Sequence, residues 1–82
     1  MKPKKVPESY SDVNQKLLQI GERVRKLRKE KYSNYESFSE ASNINKVTLN
    51  RIELGKSVSM KLFINVLLKL EISSLEDFFQ GL

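Results

Sequence analysis

The segment YESFSEASNINKVTLNRIEL, residues 35–54, decides the fold of this chain. Its residue pattern predicts two short helices, 35–42 and 46–54, which are separated by a tight turn. Asn43 lies in that turn, and asparagine adopts the left-handed backbone conformation more readily than most residues do. Asn45 has a side-chain oxygen that suits the N-cap of the second helix. The segment therefore predicts a pair of short helices that pack against each other.

The apolar residues of this segment fall where two such helices must pack on each other and on a core. Ser39 is small, which suits a close crossing of the two helices. The polar residues of the second helix are then left facing outward. The residues that we expect to face inward are Phe38, Ala41, Ile44, Leu49 and Ile52.

A long helix is predicted upstream of this segment, from Asp12 to Lys31. Its apolar residues recur at steps of three and four, which places them on one helix face. Residues 1–10 contain both prolines of the chain and three lysines, and this composition predicts a disordered basic arm. The apolar residues of the helical stripe are Val13, Leu17, Ile20, Val24 and Leu27.

Two further helices are predicted downstream. Gly55 ends the second short helix, and a fourth helix runs from Met60 to about Glu71. A short fifth helix begins at Ser73 or Ser74, and it is expected to place Phe78 and Phe79 in the core. The outcome is an all-α chain of five helices with a long first helix.

Length and composition restrict the class of protein. With 82 residues, one domain is expected, over residues 11–82. The chain has a net charge of +5, and residues 1–31 hold ten Lys and Arg against four Asp and Glu. Residues 32–56 hold three of each sign. A basic excess at one end of a chain is typical of contact with phosphates.

The absence of cysteine and histidine excludes several kinds of chemistry. Zinc sites of the usual type need these residues, and so do Ser-His-Asp and Cys-His catalysis. The chain also lacks a glycine-rich phosphate loop and a compact carboxylate cluster, so we expect no enzyme activity, metal, cofactor or small-molecule ligand. No apolar run reaches the roughly 20 residues that a membrane-spanning helix requires, so a cytoplasmic protein without a membrane partner is expected.

Residues 20–79 resemble the Cro and phage-repressor family of helix-turn-helix proteins, which is also called the XRE family. The resemblance rests on IGERVRKLR at 20–28, on the 35–54 segment, on RIELGK at 51–56 and on ISSLEDFF at 72–79. It implies a compact five-helix, lambda-repressor-like domain that binds double-stranded DNA. The 46–54 helix would be the recognition helix in the major groove.

The resemblance also implies a role for individual residues. Arg28 and Glu53 match an internal ion pair that ties the first helix to the recognition helix. Asn43 replaces a usual glycine, and Ser42 stands where an apolar residue is common. Tyr35 stands where a glutamine is usual. Contacts to bases are implied for Lys46, Val47, Thr48, Asn50 and Arg51, and contacts to phosphates for Tyr35, Asn45 and Lys56.

Two functions follow as expectations. The first is a small transcriptional regulator, a repressor, which binds a palindromic operator as a homodimer. The alternative is a protein-interaction module, or an antitoxin-type or controller-type partner, which uses the same fold with little or no DNA binding. The two extra turns at Asp12–Leu18 are expected to pack on the last helix or on a second subunit.

Overall fold

The part of the chain that the structure describes folds into five α-helices. The computed structural model describes the backbone of residues 6–82 and the side chains of residues 12–82. Over residues 6–82 there is no strand, so the prediction of an all-α chain is confirmed. The helices are α1 (Val6–Lys31), α2 (Tyr35–Ser42), α3 (Lys46–Glu53), α4 (Met60–Lys69) and α5 (Leu75–Phe79).

Helix α1 begins earlier than the sequence analysis expected. It begins at Val6 rather than at Asp12, and so includes residues 6–10 of the segment that was expected to be an arm. Pro7 falls in the first turn, where backbone N–H groups have no intrahelical acceptor. The N–H that proline lacks therefore costs the helix nothing. Residues 1–5 of the expected arm lie outside the described residues.

Helix α3 lies at the centre of the molecule and contacts α1, α2 and α4. Its buried side packs into a single apolar core, to which every helix contributes. Of the residues expected to face inward on α2 and α3 and in their turn, four are buried, which confirms those predictions. The core consists of Val24, Phe38, Ile44, Leu49, Ile52, Val66, Leu67, Leu70 and Phe78.

Two predictions for the core are wrong. Ala41 is exposed, because the inner face of α2 is formed by Phe38 and Ser42, which are one turn apart. Phe79 is 40 % exposed, because Phe78 occupies the inward position of α5 and the next residue of a helix points about 100° away from it. The buried Ser42 hydroxyl donates to the Phe38 carbonyl oxygen at 2.7 Å and accepts from the Ile44 N–H at 3.2 Å.

Local signals define both ends of the turn between α2 and α3. Asn43 has φ 62° and ψ 29°, the expected left-handed conformation, and its N–H donates to the Ser39 carbonyl oxygen at 2.8 Å. The Asn45 side-chain oxygen accepts from the Val47 N–H at 2.6 Å and so caps α3. Gly55 ends α3 with φ 78°. The direction of α3 is therefore fixed at both of its ends.

Replacement of Asn43 by glycine is expected to stabilise the protein. Asn43 carries a left-handed φ that glycine adopts without steric cost, whereas other residues pay about 1 kcal/mol or more. Glycine also loses more backbone entropy on folding. We therefore expect Asn43→Gly to raise the free energy of unfolding by about 0.5 kcal/mol, and Asn43→Ala to lower it by about 1 kcal/mol. Urea denaturation followed by circular dichroism measures both, and a glycine variant less stable than the alanine variant would contradict this account.

Helices α1 and α3 make a backbone contact at Gly21. This glycine is buried in the middle of α1. A Cβ atom at this position would lie 2.8 Å from the Glu53 carbonyl oxygen and would collide with the carbonyl oxygen of Ile52. Glycine is required here because α1 runs directly over the C-terminal end of α3.

The end of the chain is tied to α1 by hydrogen bonds. The Arg23 guanidinium donates to the Phe78 carbonyl oxygen at 2.8 Å and to that of Gln80. The Lys16 amine donates to the carbonyl oxygen of Leu82 at 2.8 Å. Part of the α1 extension therefore contacts the last residues, whereas Val13 remains 50 % exposed.

An apolar groove opens between α1, α4 and α5. Met60 at its edge is 69 % exposed. Leu17 from the α1 extension lines the groove, as do Leu75 and Phe79 of α5. The other apolar side chains that line the groove are Ile20, Ile52, Val58, Phe63 and Ile64.

Among residues 6–82, none of the helices combines the length and apolarity that a membrane crossing requires.

Candidate nucleic-acid interface

The outer face of α3 is open to solvent along its whole length. Lys46, Val47, Asn50 and Arg51 are exposed, and Val47 retains 65 % of its accessible surface. Their spacing places them on one side of the helix. Thr48 is half-buried at the edge of this face. The structure therefore brings together the five residues for which the sequence analysis expected contacts to bases.

Two cations of this face already have partners. The Arg51 guanidinium donates to the Ser57 carbonyl oxygen at 2.8 Å, in the loop that follows α3. The Lys46 amine lies 3.5 Å from the Glu36 carboxylate, and both side chains are exposed. An exposed pair of this kind contributes at most about 1 kcal/mol, so Lys46 can exchange Glu36 for another anion at little cost.

The three residues expected to contact phosphates lie at different places. Asn45 is exposed at the start of α3, with its side-chain oxygen occupied by the Val47 N–H. Lys56 is exposed after the end of α3, and part of it lines the apolar groove. Tyr35 is half-buried at the start of α2, beside α3. The structure thus places an exposed polar residue at each end of α3.

A buried ion pair joins α1 to α3. The Arg28 guanidinium meets the Glu53 carboxylate with two hydrogen bonds, Nε to Oε2 at 3.0 Å and Nη2 to Oε1 at 3.2 Å. The two side chains are 4 % and 1 % exposed. Arg28 also donates to the Tyr32 carbonyl oxygen at 3.2 Å. Two parallel hydrogen bonds pair the two opposite charges and also fix the relative orientation of the two helices.

Tyr35 completes this cluster from the side of α2. The Arg28 guanidinium lies over its ring, 4.7 Å from the centroid. Its hydroxyl lies 3.2 Å from Glu53 Oε1 and 3.2 Å from the Asn50 side-chain oxygen. Burial raises the pKa of Tyr35 above its ordinary value, and the negative charge of Glu53 and the hydrogen bond to it act in the same direction. The phenol is therefore neutral near pH 7 and retains its proton as a donor.

Sequence reasoning missed two features of this region. It assigned Tyr35 to a phosphate and missed the contacts of its hydroxyl with Asn50 and Glu53. It also gave Gly21 no role, although this residue sets the distance between α1 and α3. An isolated glycine inside a strongly periodic helical pattern was the available signal for such a contact. Within the described residues, no group of three or more acidic side chains is placed to hold a metal ion.

Comparison of the chain with protein-family models, with curated proteins and with solved structures finds no match. The resemblance to the Cro and phage-repressor family therefore rests on the residues of the chain itself.

Proposed function

We propose that this protein is a small, sequence-specific DNA-binding regulator of transcription that inserts α3 into the major groove. In this proposal the five helices form a lambda-repressor-like domain of the Cro and phage-repressor (XRE) family. One observation carries it: the polar side of α3 is exposed while its apolar side is buried against α1, α2 and α4. A helix about 10–12 Å across matches the width of the major groove.

The side chains on the outer face of α3 have the chemistry that base recognition requires. Arg51 and Lys46 suit the O6 and N7 acceptors of guanine, and Asn50 suits adenine. Val47 offers methyl groups to the methyl group of thymine, and Thr48 at the edge suits either a base or a phosphate. The contact of Arg51 with Ser57 engages one of the five N–H donors of a guanidinium and leaves the others for a base.

Contacts with the DNA backbone would come from the two ends of α3 and from the basic first helix. Lys56 and Asn45 are exposed polar residues at those ends. Arg25, Lys26 and Lys29 are exposed on this helix and supply further positive charge. Contacts of this kind position a protein on the duplex but do not read its sequence.

We further propose that the protein acts in the cytoplasm as a homodimeric repressor on a palindromic operator. One recognition helix covers only a few base pairs. A two-fold pair of helices doubles the site and matches the symmetry of a palindrome. The spacing between the half-sites of a selected operator would report the distance between the two recognition helices.

The alternative is a protein-interaction module, or an antitoxin-type or controller-type partner, with little or no DNA binding. Two observations favour it. Residues 32–56 carry equal numbers of positive and negative side chains. The apolar groove is open to solvent, and open apolar surface is typical of binding to another protein.

The discriminating experiment is selection of bound duplexes from a random pool, followed by titration of the selected duplex at several salt concentrations. We expect an enriched sequence and an affinity that falls steeply with salt. If neither an enriched sequence nor salt-dependent binding to any duplex is found, the proposed function is wrong and the alternative takes its place.

Two variants test the assignment of roles on the selected duplex. Arg51→Ala is expected to relax the preference at one base position, with a loss of discrimination of about 1–3 kcal/mol. Lys56→Ala is expected to weaken binding to all sequences alike and to reduce the salt slope by about one. Lys69→Ala removes an exposed lysine at the far end of α4 and is the control. If the Arg51 and Lys56 variants behave identically, the assignment is wrong.

A further inference from the structure

The hydroxyl of Tyr35 lies between two groups of α3 that differ in what they can accept and donate. Glu53 presents a carboxylate oxygen at 3.2 Å, and Asn50 presents its side-chain amide oxygen at 3.2 Å. A tyrosine hydroxyl has one hydrogen to donate and lone pairs to accept. It therefore cannot donate to a carboxylate and to an amide oxygen at the same time.

The carboxylate takes the hydrogen. An ionised acceptor forms a hydrogen bond about twice as strong as a neutral one, and a carboxylate cannot donate in return. The pKa of Tyr35 is raised in part by this hydrogen bond to Glu53. The hydroxyl oxygen is then left as an acceptor toward Asn50.

Asn50 satisfies that acceptor when its NH2 group faces Tyr35. The oxygen and nitrogen of an asparagine amide exchange places by a half-turn that barely alters the shape of the side chain. The chain Arg28–Glu53–Tyr35–Asn50 then has a donor for each acceptor. The amide oxygen of Asn50 and its second N–H remain free on the exposed face of α3.

We propose that Tyr35 is a positioning residue that fixes the amide of Asn50 for adenine, and that it is not a phosphate contact. This inference rests on the proposed function. Adenine offers one donor and one acceptor in the major groove, N6–H and N7, and a held amide offers the matching pair. An amide that is free to turn would present the reverse order equally often, so the hydroxyl of Tyr35 adds to the preference for adenine.

The geometry also disfavours a phosphate at Tyr35. The single hydrogen of the hydroxyl is donated to Glu53, so an incoming phosphate would need to displace a buried carboxylate that Arg28 holds in place. A phosphate would also approach the negative charge of Glu53 itself. Lys46 and Lys56 are exposed, and neither is paired with a buried carboxylate that a phosphate would have to displace.

The test uses Tyr35→Phe, which removes only the hydroxyl. Duplexes are selected from a random pool with the wild type and with Asn50→Ala, so that the base position read by Asn50 is known. We expect Tyr35→Phe to reduce the preference for adenine at that position about three- to tenfold, the range of one neutral hydrogen bond. Affinity for duplexes that lack this adenine is expected to change little. A similar loss of affinity for every duplex would instead show a phosphate contact and overturn the proposal.

A matched control is Tyr32→Phe. Tyr32 packs edge-on against Phe38, with ring centroids 5.2 Å apart, and removal of its hydroxyl leaves the outer face of α3 untouched. We expect wild-type selectivity from this variant. Each replacement keeps the aromatic ring, so both variants are expected to fold, and circular dichroism checks this.

A second measurement separates this inference from the proposed function. The side-chain amide signals of Asn50, observed by NMR in the DNA-free protein, are expected to shift in Tyr35→Phe and to remain unchanged in Tyr32→Phe. Unchanged signals in Tyr35→Phe would overturn the positioning role, whatever the DNA result. If the wild type binds no duplex, the adenine readout fails together with the proposed function, while the amide signals still report the hydrogen bond.

Discussion

Gly21→Ala is expected to lower the free energy of unfolding by about 2 kcal/mol, although alanine is the better helix former. In a helix interior alanine is favoured over glycine by about 0.5–1 kcal/mol. Here the added methyl group would meet the backbone carbonyl oxygens of Ile52 and Glu53. These atoms belong to α3 and cannot rotate aside, so the cost should reach the upper end of the roughly 1–3 kcal/mol that overpacking costs. The steric cost exceeds the gain in helix propensity.

The measurement is urea denaturation followed by circular dichroism, with Glu22→Ala as the control. Glu22 is the next residue of α1 and is exposed, so its replacement should change stability by less than about 0.5 kcal/mol. A Gly21→Ala variant as stable as the wild type would show that α1 and α3 are not in backbone contact. Because α3 carries the candidate interface, the same variant is also expected to weaken binding to a selected duplex.

The elements that the sequence predicted best are those set by local chemistry. Helix α2 spans Tyr35–Ser42 as predicted, and α3 ends at Glu53, one residue earlier than predicted. Asn43 and Asn45 explain this agreement, because a left-handed residue and an N-cap act through atoms within a few residues. The start of α1 was predicted less well, because the prolines and lysines of residues 1–10 were taken to indicate disorder, although the first turn of a helix tolerates proline.

The features that were not predicted depend on contacts between distant parts of the chain. Short helices contain too few residues for periodicity to define the inward face, and Ala41 and Phe79 were therefore placed wrongly in the core. The roles of Gly21 and Tyr35 depend on how closely α3 approaches α1 and α2. Nothing in the residues next to Tyr35 specifies whether its hydroxyl meets Asn50, Glu53 or a phosphate.

The pair of Arg28 and Glu53 differs from a surface ion pair in what its loss should cost. Both side chains are almost fully buried, at 4 % and 1 % exposure. Removal of one partner leaves the other charge away from water without a counter-charge, which typically costs about 3–5 kcal/mol. The intact pair contributes much less, because both charges were desolvated when it formed. These opposite expectations for single and double replacement make the pair testable.

Arg28→Met is therefore expected to lower the free energy of unfolding by about 3–5 kcal/mol, since it leaves the Glu53 carboxylate with only the hydroxyl of Tyr35 as a partner. Glu53→Leu should cost a similar amount, because it leaves the guanidinium of Arg28 uncompensated. The double variant Arg28→Met with Glu53→Leu is expected to recover most of the loss, since two apolar side chains suit a buried position. Lys31→Met, which breaks the exposed contact of Lys31 with Glu71, is the control and should lower the free energy of unfolding far less. Urea denaturation of the variants measures the coupling between Arg28 and Glu53, and additive losses in the double variant would mean that the two charges do not depend on each other.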